Sequence, residues 1–237
     1  MSIIEWSIEG NIALLSMNAG ENRLNIEFAG AMLQALDDIE KNTTASALVV
    51  TSPHEKIWSN GLDLEWLMPA ILRSDPQLDK FYTLQDRVMK RILMYPMITV
   101  AALNGHAFGA GAILSCCFDF RFMRADRGFV CFPEVDINVP FLQYVPALIR
   151  KTMPANMLTD AGLTGKRFAA PELEKCSYLV KACPAGELVR EVVKFASGLN
   201  KGRPILSAQK NMMFGDIARL IDANKPPDLN PGNITVQ

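Results

Sequence analysis

An α/β fold with parallel strand pairing follows from three features of the sequence. Apolar strand-like runs alternate with segments of helical periodicity over the first two thirds of the chain, the order that builds parallel sheets. One run, Ala47 to Thr51, is apolar without alternation, as in a strand covered on both faces. Turn dipeptides such as Asn60-Gly61 and Asn104-Gly105 punctuate these segments.

In order, Ile3 to Ile8 and Ile12 to Met17 read as a strand pair joined by Gly10-Asn11. Asn25 is placed to cap a helix whose Phe28, Met32, Leu33, Leu36 and Ile39 share one face. The strand Ala47 to Thr51 follows, then the Asn60-Gly61 turn and a helix over Leu62 to Leu72. Asp75-Pro76 opens an amphipathic helix to about Leu93, which Pro96 stops. The stretch Ile98 to Phe122 reads as strand, tight turn and helix: an apolar run, Asn104-Gly105, the small cluster Gly109-Ala110-Gly111-Ala112, then Ile113 to Cys117. Past Gly128 the alternation ends. Helices are expected at Tyr144 to Lys151, Ala155 to Ala161, Glu187 to Leu199 and Ile205 to Ile221, and the residues from Lys225 on read as an extended tail. The organisation expected is a core over 1–140, a helical C-terminal region over 141–224 serving as lid or assembly surface, and a tail over 225–237.

The 237 residues suffice for one domain with a sizeable core, and 49% hydrophobic with 21% charged residues is ordinary globular composition. A net charge of -1 offers no general attraction to nucleic acid or to a membrane surface. No apolar run reaches the roughly 18 residues of a membrane span. The five cysteines have neither C-x-x-C spacing nor paired histidines, so neither a disulfide framework nor a metal site is expected. With no signal-peptide pattern and no S-K-L terminus, the expectation is a reduced, cytoplasmic compartment.

Chemistry is sought first at the small residues. Glycine and alanine at a helix start leave its free N–H groups open to an oxygen that carries or develops negative charge. Gly109 to Ala112 fits that use, and fits equally a tight strand-to-helix packing without ligand. It is not a dinucleotide fingerprint, because Leu114 stands where a third glycine would be required. Trp58-Ser59-Asn60-Gly61-Leu62-Asp63-Leu64 places a second turn before a second helix, so two N–H donors are available for one oxygen.

The pair WSNGLDL and NGHAFGAGA resembles the two oxyanion-hole segments of the crotonase superfamily, the enoyl-CoA hydratases, isomerases and their relatives. The likeness extends from Ile3 to about Lys210. It implies a spiral core of ββα turns with a helical C-terminal region, and an acyl-CoA thioester as substrate. The thioester oxygen would be held by the N–H groups of Leu62 and Ala110, with Asn60, Gly61, Asp63, Leu64, Gly109 and Gly111 lining the ligand. It implies no cofactor beyond the coenzyme A of the substrate, and a homotrimer or hexamer.

Glu134, in FPEVDINVPF, stands on the residues alone either for an exposed loop glutamate or for a carboxyl desolvated by Phe132, Pro133 and Val135, which would raise its pKa. The resemblance makes it the catalytic base. Hydratases of the superfamily use a second glutamate in the first turn of the central helix, where Ile113 stands here, and the 3-enoyl-CoA isomerases manage with one. The function so implied moves a double bond from the 3,4 to the 2,3 position. Another reaction of the same enolate, or a crotonase-like CoA-binding scaffold, is the alternative.

The remaining candidates read as structural. Asp136 shares a face with Glu134 if the stretch is extended, Asp63 caps the following helix, Asp119 is structural, and His106 is a lone satisfied histidine. Cys116 and Cys117 lie on an apolar helix without a histidine partner. Trp66, Met68, Phe81, Leu84 and Met89 read as core, in the region that forms the acyl pocket in relatives. Lys56, Lys166, Arg167, Lys201 and Lys210 read as scattered surface charge able to meet CoA phosphates.

Overall fold

The computed structural model describes residues 2–225 and shows the strand–helix alternation distributed over two sheets. The large sheet has the order β1-β2-β3-β5-β7-β10: β1 (Ile4–Glu9), β2 (Ile12–Met17), β3 (Ala47–Thr51), β5 (Ile98–Leu103), β7 (Phe120–Arg124) and β10 (Lys181–Cys183). All its pairings are parallel except β1 with β2, whose two-residue turn uses Gly10 at φ 59°. The small sheet has the order β4-β6-β8-β9: β4 (Ile57–Ser59), β6 (His106–Phe108), β8 (Phe129–Cys131) and β9 (Arg167–Ala169). Three times the chain runs from the large sheet directly into the small one, at β3 to β4, β5 to β6 and β7 to β8.

Helix α1 (Ile26–Asn42) starts where expected, with Asn25 accepting a hydrogen bond from the Phe28 N–H at 2.9 Å. Its buried Phe28, Met32, Leu36 and Ile39 form one apolar stripe against the large sheet. The unbroken apolar run of β3 has a direct cause. Leu48 and Val50 join the cluster that holds Phe28 and Met32, while Ala47 and Val49 pack on the opposite face with Leu188, Val192 and Ala196 of α8 (Leu188–Ser197). Burying each such Val or Leu contributes about 1.5–3 kcal/mol.

Helix α2 (Leu64–Leu72) begins two residues later than expected, leaving Leu62 outside it in a parallel bridge to Leu24. Helix α3 (Leu78–Leu93) packs on α1, and α4 (Ala110–Cys117) is buried over its last seven residues. The stretch read as strand, turn and helix holds a second strand, β6, between β5 and α4. The later region carries α5 (Val145–Thr152), α6 (Ala155–Thr164), α7 (Ala170–Lys175), α8 and α9 (Arg203–Asp222). It is helical only in part, because β9 and β10 add the last strand to each sheet. In α9, Ala218 and Ile221 are buried and Phe214 and Ile217 pack on the chain's own core, while Ile205, Met212, Met213 and Leu220 remain exposed. The tail expected from Lys225 on lies, apart from that residue, outside the described residues. Among the described residues no helix is long and apolar enough to cross a membrane.

Candidate active site

The two small-residue turns meet. Gly61 has φ 77°, and a Cβ on it would stand 2.7 Å from the Phe108 carbonyl oxygen and 3.2 Å from the Ala110 nitrogen. A Cβ on Gly111 would stand 2.5 Å from the Ser59 carbonyl oxygen, so the end of β4 touches the first turn of α4 more closely than any side chain permits. The absence of Cβ is what lets these backbones approach. Among the described residues, neither the Leu62 nor the Ala110 N–H donates to a protein acceptor. The first amide of α4 to close a helical bond is that of Ile113, to Gly109 at 3.0 Å.

The segment from Glu21 to Asn25 holds the first turn in place. Asn60 N–H donates to the Glu21 carbonyl at 3.0 Å, Leu24 N–H to Gly61 at 2.7 Å and Asp63 N–H to Leu24 at 3.1 Å. Buried Asn22, at φ 51°, donates through Nδ2 to the Trp58 carbonyl and to Ser52 Oγ, both at 2.9 Å, and accepts from Ser59 Oγ at 2.8 Å. Asn22 and Ser59 were not singled out from the sequence. The available signal was that asparagine tolerates left-handed backbone better than most residues. Asp63 caps α2 as expected, accepting from the Trp66 N–H through Oδ1 and from Asn25 Nδ2 through Oδ2. A cleft of about 360 Å³ opens beside this turn, lined by Glu21, Arg23, Asn25, Asp63 and Glu65.

Glu134 comes to the start of α4 from the other side. Strand β8 pairs with β6, the Gly109 N–H donates to the Cys131 carbonyl at 3.0 Å, and a 3-10 turn at Pro133–Val135 brings Glu134 Oε1 to 3.8 Å from where a Cβ on Gly109 would stand. The residue as a whole is half-buried, yet its Oε2 is shut off from solvent without a hydrogen-bond partner among the described residues. Burial pushes its pKa up to about 7, opposed only by a bond from its own backbone amide. Val135 is exposed, so its flank contributes little to that burial. Ile113, 7% exposed, is the residue in the first turn of α4.

Several expectations change. The stretch around Glu134 is a 3-10 turn, not an extended strand, and the Asp136 carboxylate lies against Gly165 at the end of α6. His106 is not satisfied: its Nδ1 is buried without a partner among the described residues, its ring lies between Phe108 and Phe129, and burial lowers its pKa. Lys210 is not surface charge. It is 4% exposed, donating to the Met97 carbonyl at 2.8 Å and pairing with Asp119 at 2.7 Å, which fixes Asp119 in the structural role expected of it. Lys166 pairs with Asp160 and Glu172, and Arg167 lies over the Phe108 ring. Lys56 and Lys201 are exposed. Cys116 and Cys117 are buried, and burial raises both thiol pKa values, which leaves them inert at neutral pH.

Residues 7–220 match the family model described as enoyl-CoA hydratase/isomerase. Enoyl-CoA delta isomerase 3 of Arabidopsis thaliana is 33% identical over 220 residues, covering 90% of this chain and 92% of that protein. The peroxisomal enoyl-CoA delta isomerase 2 of the same plant is 32% identical, covering 69% of this chain and 70% of that one. In fold, the chain is similar to a crystal structure of a probable enoyl-CoA hydratase from Mycobacterium tuberculosis, with a TM-score of 0.85 at 21% identity over 94% of this chain and 92% of that one. The alternating passage between two sheets is thus a crotonase-type spiral, and the chain belongs to the enoyl-CoA hydratase/isomerase family of the crotonase superfamily.

Proposed function

We propose that the protein is an acyl-CoA isomerase that converts a 3-enoyl-CoA to the 2-enoyl-CoA. The observation that carries this reading is the Glu134 carboxyl beside the start of α4, where the two turns meet, with its buried Oε2 unpartnered among the described residues. A carboxyl with a pKa of about 7 is a competent base near neutral pH. It takes a proton from C2 of the substrate, negative charge passes to the thioester oxygen, and the same carboxyl returns the proton at C4. The N–H groups of Leu62 and Ala110 hold that oxygen, and a comparable donor is worth about 2.7–4 kcal/mol in a hydrolase. Asn60, Gly61, Leu64, Gly109 and Gly111 line the ligand, while both carboxyl oxygens of Asp63 are already engaged in fixing the turn.

Ile113 favours isomerisation over hydration, since adding water requires a second acid–base group that an apolar side chain does not supply. The names of the two Arabidopsis relatives support the same choice. The reaction requires no cofactor beyond the coenzyme A of the substrate. The proposal includes assembly into a homotrimer or hexamer, with residues 141–224 closing the site or meeting a neighbouring subunit, and a cytoplasmic compartment.

Incubation with 3-enoyl-CoA, 2-enoyl-CoA and malonyl-type CoA esters, followed by absorbance and free-thiol release, tests the assignment. The expected result is a double-bond shift with the first substrate and little hydration of the second. Robust hydration, decarboxylation or thioester hydrolysis would replace this reading, and binding without turnover would point to a scaffold.

A further inference from the structure

Gln85 is a buried polar side chain that this chemistry leaves unused. It lies in α3, is 6% exposed, and has both Oε1 and Nε2 buried without a hydrogen-bond partner among the described residues. An amide with neither donor nor acceptor met is uncommon inside proteins and costs stability. Its position is fixed by its neighbours one turn away on each side. Phe81 packs on Trp66 of α2 with ring centroids 5.1 Å apart, and Met89 Sδ lies 3.7 Å from Cys117 Sγ of α4. Gln85 therefore lies on the face of α3 turned toward the two helices that begin at the proposed anion hole. The next residue, Asp86, is already engaged by the Tyr144 hydroxyl at 3.0 Å and by Asn224 Nδ2 at 2.9 Å.

We propose that Gln85 determines acyl specificity, selecting an acyl group that carries a hydroxyl over the plain hydrocarbon. The inference rests on the reading of the site as one for acyl-CoA esters. A single hydroxyl donates to Oε1 and accepts from Nε2 at once. A ketone meets only Nε2, a carboxylate brings a second anion beside Asp86, and a hydrocarbon leaves the amide unmet.

The test uses pairs of 3-enoyl-CoA esters that differ only by a hydroxyl at successive positions beyond the double bond. The wild type, Gln85→Met and Gln85→Leu are compared by kcat/KM, and matched saturated acyl-CoA pairs are compared by calorimetric Kd. The wild type should favour the hydroxylated member of at least one pair by about tenfold, about 1.4 kcal/mol, in both measures. Both variants should favour the plain member. Wild-type discrimination below about threefold in every pair, binding of neither member, or variants that keep the wild-type preference would overturn the proposal. Failure of every ester to turn over would refute the isomerase reading, and the Kd comparison would still decide the role of Gln85.

Discussion

Replacing Glu134 with glutamine should stabilise the protein, and by an amount that depends on pH. Burial raises the carboxyl from its ordinary 4.5 to about 7, so the folded state holds this proton more tightly than the unfolded chain does. Between those two values the folded form is protonated and the unfolded form is not, and wild-type stability falls as pH rises through this window. The difference corresponds to at most about 3.5 kcal/mol, at about 1.4 kcal/mol per pH unit, fully lost above the folded pKa. Glutamine stays neutral and escapes that loss. Urea denaturation of both proteins at pH 4.5, 6 and 8 should show the advantage of Glu134→Gln growing from near zero to about 2–3 kcal/mol. An advantage that does not change with pH would refute the claim that the folded site desolvates this carboxyl.

Gly61→Ala should cost about 1–3 kcal/mol, because φ is 77° and the new Cβ would stand 2.7 Å from the Phe108 carbonyl oxygen, and kcat should fall more than KM rises. Denaturation midpoints and steady-state kinetics check both parts. Lys210→Met should cost about 3–5 kcal/mol by leaving Asp119 buried without its cation, again read by urea denaturation, and a near-neutral result would contradict the buried pair. Light scattering coupled to size exclusion should give the mass of a trimer or hexamer, as the exposed Met212 and Met213 of α9 favour, and a monomer at micromolar concentration would remove the assembly proposal alone.

What the sequence disclosed depended on the length over which a physical signal could accumulate. Helix α1 has a capping asparagine and a repeated apolar face, and β3 has an unbroken apolar run because two different layers cover it. Strands β4, β6 and β8 are three residues each, too short for any periodicity, so the passage from sheet to sheet was visible only through resemblance. Glu134 looked more like a solvated loop residue than a base, since its own stretch does not disclose that the β6–β8 pairing brings it against Gly109. Lys210 and Asp119 could not be matched because their contact is made by tertiary packing of α9. The unpartnered atoms of Gln85 and His106 have no sequence signature.

The role proposed for Glu134 is that of one carboxyl that both removes and returns the proton. Its most direct measurement is the rate of 2-enoyl-CoA formation from a 3-enoyl-CoA by the wild type and by Glu134→Gln, with the Kd of a saturated acyl-CoA measured alongside. The expected loss of turnover is on the order of 100- to 10,000-fold, with the Kd within a few-fold of the wild type. A variant that binds the ester and keeps most of its turnover would contradict it.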